Sequence, residues 1–226
     1  MKRITTGIIA ASLLSILSGT SVIANTVDPL NLDELQEATR LATPATTGST
    51  QRASRSRSNT AGTTASVELL LVERRPTDKE QPELRQADVY YYDYGTDETI
   101  HSIIDLPSQA VISTEREQYV QLPLTENEII RTKALLFNDD EQMNLLQAEY
   151  QRITGQYLTG PEQLNVKAFT FSADTLPGPG QLNAASEQCG LHRCAQVLLY
   201  THDSTVFEIS PIVNLSAGIV TQNIGF

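Results

Sequence analysis

The chain has 226 residues, of which 27 are acidic and 16 basic, and its formal charge is −11 with no Trp. A surface of that sign repels nucleic acid and anionic lipid and so argues against both as partners. The length suits one ordinary domain or two small ones.

The first 24 residues read as a secretory signal peptide. Lys2 and Arg3 open it, Ile8 to Leu17 is mostly apolar, and Val22-Ile23-Ala24 offers a cleavage site. The apolar run is about half the roughly 20 residues that a spanning helix needs, and no later stretch is apolar enough to span. A buried N-terminal helix is the less favoured alternative for the same run. The expected product is secreted or periplasmic. No cysteine near the cleavage point suggests a lipid anchor, and Asn214-Leu215-Ser216 is a glycosylation sequon only in a eukaryotic host. Loss of Lys2 and Arg3 takes the formal charge to −13. Residues 25–65 hold four acids and four bases, so residues 66–226 carry all of it.

Residues 25–41 form an N-terminal helical segment. Asn31 with Glu34 three residues on is a helix-start signal, and Leu35, Ala38 and Leu41 share one side. Residues 42–66 are Thr, Ser, Ala and Gly with Arg52, Arg55 and Arg57, too poor in large apolar groups to fold, and read as a flexible linker. Strands follow at 67–73, 89–94, 99–106 and 110–114, with Gly95-Thr96-Asp97 and Pro107-Ser108-Gln109 as turns. The period then changes. Thr125 with Glu128 opens a helix from Ile129 to Phe137, and Asn138-Asp139-Asp140-Glu141 opens another that runs to Ile153 and stops at Gly155. Residues 166–171 read as a strand and 172–188 as a loop. Segments 194–202, 206–215 and 219–224 read as closing strands.

The order repeats. Pro29-Leu30, Glu34-Leu35 and Leu41 recur 94 residues later as Pro123-Leu124, Glu128-Ile129 and Leu135. Ile104-Asp105-Leu106 with Val111-Ile112 likewise matches Val213-Asn214-Leu215 with Ile219-Val220. The pattern predicts an α+β chain of two tandem modules, 25–121 and 122–226. Strands of the first module occupy 67–121, and each module packs a helix on one face of an antiparallel sheet of about four strands.

These residues resemble the two small N-terminal domains of copper amine oxidases, N2 and N3. The carrying features are the Pro29-Leu30 step into a helix with paired acids, the strand from Val67 that runs into Lys79, and the Ile104-Asp105-Leu106 turn. Leu124-Thr125-x-x-Glu128, the Asn138-Asp139 cap, Gly155 and the Pro211 to Val220 step complete the set. The resemblance covers nearly all of the chain after residue 24. It implies a cystatin-like scaffold without the enzyme, because the family's chemistry sits in a larger C-terminal domain with an Asn-Tyr-Asp/Glu site, three copper-binding His and a catalytic Asp. Here Tyr92-Asp93 is preceded by Tyr91 and the sequence ends at Phe226. Residues 42–66, Asn214 in place of Asp, and the Cys189 to Cys194 loop depart from the family's pattern.

Cys189-Gly190-Leu191-His192-Arg193-Cys194 is the sharpest local feature. In an exported protein it favours a disulfide, with a metal site of two thiolates and His192 as the alternative. A redox-active pair usually has two intervening residues, not four. His101 and His202 fall in expected strands at similar places of the two modules, where ordinary hydrogen bonding accounts for them. Tyr90, Tyr92 and Tyr94 alternate with Tyr91 and read as strand packing or, alternatively, a binding platform. Asp93, Asp97 and Glu98 cluster at a hairpin tip and either stay solvated or hold a cation weakly. No Gly-x-Ser-x-Gly frame, phosphate loop or zinc-protease motif is present. The sequence therefore predicts no catalytic, cofactor-binding or metal-binding residues and no cofactor, with Cys189 and Cys194 paired. The expected role is a non-catalytic binding or interaction module with a protein partner, such as a separate catalytic chain. A small extracytoplasmic metal-handling protein is the alternative, and a hydrolase with an unfamiliar site is the weakest reading.

Overall fold

The computed structural model describes residues 28–44, 67–76, 80, 83–175 and 180–225. The expected signal peptide lies outside these residues, as does the expected linker except for residues 42–44.

The first module is one helix on one sheet. Helix α1 (Leu32–Ala42) starts at a closed capping box. The Asn31 side chain accepts from the Glu34 N–H at 3.0 Å, and the Glu34 carboxylate accepts from the Asn31 N–H at 2.9 Å. Strands β1 (Val67–Arg74), β2 (Gln86–Asp93), β3 (Glu98–Asp105) and β4 (Ala110–Glu117) form an antiparallel sheet in sequence order. The strands present Ala87, Val89, Tyr91, Ile100 and Ile104 to α1, which meets them with the small residues Ala38 and Ala42. Small side chains let the helix axis come close to the sheet, so these two alanines are almost fully buried.

The second module repeats the plan with one more helix. Helices α2 (Glu126–Phe137) and α3 (Asp140–Thr154) precede strands β5 (Asn165–Thr170), β6 (Cys194–Tyr200), β7 (Ile209–Asn214) and β8 (Ile219–Gly225), again antiparallel and in order. Leu136 of α2 and Leu146 and Tyr150 of α3 close a core over Ala195, Val197 and Leu199 of β6. The α+β fold in two modules is thus present as expected.

Three local expectations are corrected. Helix α3 has no reciprocal box; Asp139 alone caps it, by accepting from the Gln142 N–H at 3.0 Å, and Asn138 ends α2. The segment expected as a strand from Val206 makes only an isolated bridge to Tyr200 there, and the continuous strand begins at Ile209. The N–H groups of Glu208 and Ile209 are taken by the Glu149 carboxylate of α3, at 2.5 and 3.3 Å. His202 is not in a strand either. Thr201, Asp203 and Thr205 bond one another locally and end β6 at Tyr200, so His202 does not match His101, which lies within β3.

The internal repeat is deeper than the two helix starts. Immediately before the second strand of each sheet stands an arginine, Arg85 or Arg193. Arg85 donates through Nε and Nη2 to both oxygens of Glu34, at 2.9 and 2.7 Å, and to the carbonyls of Asp28 and Pro29. Arg193 does the same to Glu128, at 2.7 and 2.8 Å, and to the carbonyls of Leu122 and Pro123. The hairpin between third and fourth strands also recurs. Leu106 and Leu215 donate to the carbonyls of those two arginines. Asp105 and Asn214 accept from the N–H three residues on, and Gln109 and Gly218 take φ 53° and 69°.

Candidate functional site

The chemistry-bearing residues converge where the modules meet. The chain enters α2 through Val120 to Thr125 and is held on both sides. Thr99 of β3 donates to the Val120 carbonyl at 2.7 Å, and Thr170 of β5 to the Leu122 carbonyl at 2.8 Å. Gln121 donates to the Gly190 carbonyl at 2.8 Å.

Glu128 and Arg193 are the centre of this junction, and both side chains are fully buried. Each Glu128 oxygen accepts twice. One takes Arg193 Nε and the Tyr94 hydroxyl, at 2.7 and 2.6 Å. The other takes Arg193 Nη2 and the Thr125 N–H, at 2.8 and 2.7 Å. Burial by itself would raise this carboxyl's pKa. The Arg193 hydrogen bonds and charge, with Tyr94 and Thr125, outweigh it and hold the group below the usual carboxylate range. A carboxylate with all its lone pairs engaged has none left to act as a base, so its chemistry here is to fix geometry.

The network crosses from one module to the other. Arg131 of α2 donates to Glu68 of β1 and to the Tyr94 hydroxyl, both at 2.6 Å. Thr125 donates to the second Glu68 oxygen at 2.5 Å. Tyr94 packs its ring on the second module's core. Burial, then the Glu128 carboxylate, pushes its hydroxyl far above the ordinary phenol range. Tyr92 donates to Asp97 at 3.0 Å and to the Leu191 carbonyl at 3.2 Å, and it too is raised, first by burial.

The Cys189 to Cys194 loop supplies the other wall. The two sulfurs are bonded at 2.11 Å, and both cysteines are buried against Phe171 and Ile212. Gly190 takes φ 112° inside the loop, a conformation that side chains rarely adopt. His192 faces Asp97 at 3.8 Å through Nε2, and its Nδ1 meets the Asn214 amide at 2.9 Å.

The remaining sequence candidates are dispersed. His101 bonds Asp88 at 2.7 Å and stacks on Tyr90 with ring centroids 4.4 Å apart. His202 lies between Asn165 and the Glu162 carbonyl. Tyr91 faces α1 while Tyr90 and Tyr92 point the other way, as alternation requires. The cation that Asp93 and Glu98 hold is Arg116, at 3.2 and 2.9 Å. The residue that sequence reasoning passed over is Arg193; its signal was the Arg-x-Ala-x-Val spacing shared with Arg85.

No family model matches the sequence, and no characterised protein matches it in sequence. Among solved structures, the chain is similar to a copper-containing benzylamine oxidase from Hansenula polymorpha, with a TM-score of 0.53 and 14% identity. The match covers 90% of this chain and 30% of that one. At this identity the likeness is one of fold. Copper does not fit the residues described here. Both sulfurs are bonded to each other, the three histidines lie apart with partners of their own, and no group of three or more His, Cys, Asp or Glu among the described residues could hold a metal.

Proposed function

We propose that the chain is a non-catalytic, exported two-module protein that acts as a binding or interaction module. The observation that carries this reading is the use made of its ionisable groups. Among the described residues the two fully buried charged side chains are spent on the junction, Glu128 on four donors and Arg193 on five acceptor contacts. Such an arrangement holds two sheets in a fixed relation and presents their outer surfaces. The likeness of fold to about a third of a larger oxidase supports the same reading, as does the amino-terminal pattern for export. No described helix is long and apolar enough to cross a membrane. The metal-handling alternative loses its two best ligands to the disulfide.

Two measurements test the reading. The exported protein is incubated with copper and freed of unbound metal. Metal content and peroxide release from simple amines are then measured, and both are expected at background. The tagged chain is also cross-linked in its own host, where a discrete heteromeric species is expected. Turnover, or one tightly held copper per chain, overturns the non-catalytic half; a chain that cross-links to nothing overturns the interaction half.

A further inference from the structure

Sheet one buries only one of its faces under α1. On the other, register sets the residues in rows across the four strands. The row Tyr92, Thr99 and Glu117 lies next to the second module, where Tyr92 meets the Leu191 carbonyl. Beyond it comes Leu71, Tyr90, His101 and Glu115, then Glu73, Asp88, Ile103 and Ser113. Leu71, Tyr90 and Ile103 are half-buried and form an apolar floor. Glu73 on β1 and Glu115 and Glu117 on β4 are exposed on the two edge strands and form its rims.

The charges on this face are unbalanced. Asp88 is already matched by Arg75 at 2.6 Å and by His101. Arg116 stands opposite Ile100, on the helix side of the sheet, and is taken by Asp93 and Glu98. Glu73, Glu115 and Glu117 have no ion-pair partner among the described residues. The Tyr90 phenol responds to this field: burial raises its pKa first, then the carboxylates of Asp88, Glu73 and Glu117, with Arg75 opposing.

We propose that this face is the docking surface for an extended basic segment of a protein partner, whose apolar side chain meets the Leu71–Tyr90–Ile103 floor while flanking lysines or arginines reach the two acidic rims. The dimensions set the pattern. Edge strands of a four-stranded sheet are about 14 Å apart. An extended chain rises about 3.4 Å per residue and returns to the same side every second residue, so basic residues four apart with an apolar one midway fit the span. Unpartnered carboxylates on both sides of a half-covered apolar strip give such a segment charge complementarity as well as buried area. This inference rests on the reading of the chain as an interaction module. The peptide measurement below reads this face directly, so the face can fail while cross-linking to a partner still supports the interaction reading.

The test uses the whole exported chain and a labelled peptide of pattern lysine–threonine–valine–threonine–lysine between short neutral ends. Binding followed by fluorescence anisotropy is expected to weaken with salt, as exposed charge pairs do. It is expected to fall about tenfold in the triple variant Glu73→Gln/Glu115→Gln/Glu117→Gln, a loss of about 1.4 kcal/mol. These three side chains are exposed, and an unchanged circular dichroism spectrum checks that the fold is kept. A control triple variant, Glu141→Gln/Asp174→Asn/Glu187→Gln, removes the same charge elsewhere and is expected to bind like the parent. Equal weakening in both variants means diffuse attraction and overturns the proposal. So does binding of N-acetyl-lysine amide, or of a peptide with both lysines replaced by glutamate, as tightly as the lysine-flanked one.

Discussion

At the scale of single residues, Glu128 and Arg193 show how a buried ion pair is made tolerable. Removing two charges from water costs several kcal/mol per ion, and only close geometry with every remaining donor and acceptor filled offsets it. Both conditions hold here, because Thr125, Tyr94, Gln121 and two backbone carbonyls complete the pair. Truncating one partner leaves the other charged and buried, so Arg193→Met is expected to lose about 3–5 kcal/mol in urea unfolding. Arg85→Met is expected to lose less, since the Glu34 side chain is 19% exposed and water can replace its partner. The pH dependence follows from the lowered Glu128 pKa. The unfolded chain binds a proton to this carboxyl near the ordinary value of about 4.3, while the folded chain still holds it ionised. The pair's stabilisation is therefore complete above that value and is lost as pH falls from it through the lowered folded value. Urea midpoints measured from neutral to acid pH should drop in the parent over that window, and drop less in Glu128→Gln. An equal drop in both proteins would remove Glu128 from the explanation.

At the scale of elements, what the sequence made legible was what local chemistry decides. Asn31 with Glu34, and Thr125 with Glu128, state a helix start within four residues, and the structure closes both boxes. The strand at 67 was visible as an apolar Val/Leu run and those at 99 and 110 as β-branched runs between turn residues. Less legible was anything fixed by partners distant in sequence. The late start of β7 follows from Glu149, some sixty residues away, and periodicity does not register such a bond. The arginine repeat was hidden for another reason. The helix starts recur at a spacing of 94, but α3 and the loop before β6 lengthen the second module, so Arg193 falls outside that spacing. Its place between the two cysteines also drew attention to the sulfurs. That loop yields the element-scale prediction. The disulfide closes a short ring, so its chain-entropy contribution sits at the low end, about 2 kcal/mol. Cys189→Ala/Cys194→Ala is expected to fold with that loss in urea unfolding. Because Leu191 and Arg193 hang on the ring, the loss should be accompanied by faster amide exchange at Gly190 and Leu191. Faster exchange confined to β8 would place the disulfide's effect elsewhere.

At the scale of the whole molecule, the open question is whether two modules behave as two bodies or one. The covalent plan suggests two, since each has its own helix, sheet and apolar cluster. The contacts argue for one. Tyr94 follows directly on β2, yet its ring packs against the second module's core and its hydroxyl joins Glu128 to Arg131. Glu68 of β1 accepts from both Thr125 and Arg131, across the same boundary. Cutting these contacts would leave Glu128 short of a donor, and would expose apolar surface that neither module covers alone. Unfolding is therefore expected as a single transition, with amide protection in β2 and β6 lost at the same urea concentration. Tyr94→Ala sharpens the test. Tyr94 is half-buried, so its truncation removes less than the about 3–5 kcal/mol of a fully buried aromatic, but it also removes a hydrogen bond to a buried carboxylate. If the junction couples the modules, protection should fall in β2 and in β6 by similar amounts. A fall confined to β6, with β2 as protected as in the parent, would mean that Tyr94 serves only the second core and that the modules unfold separately.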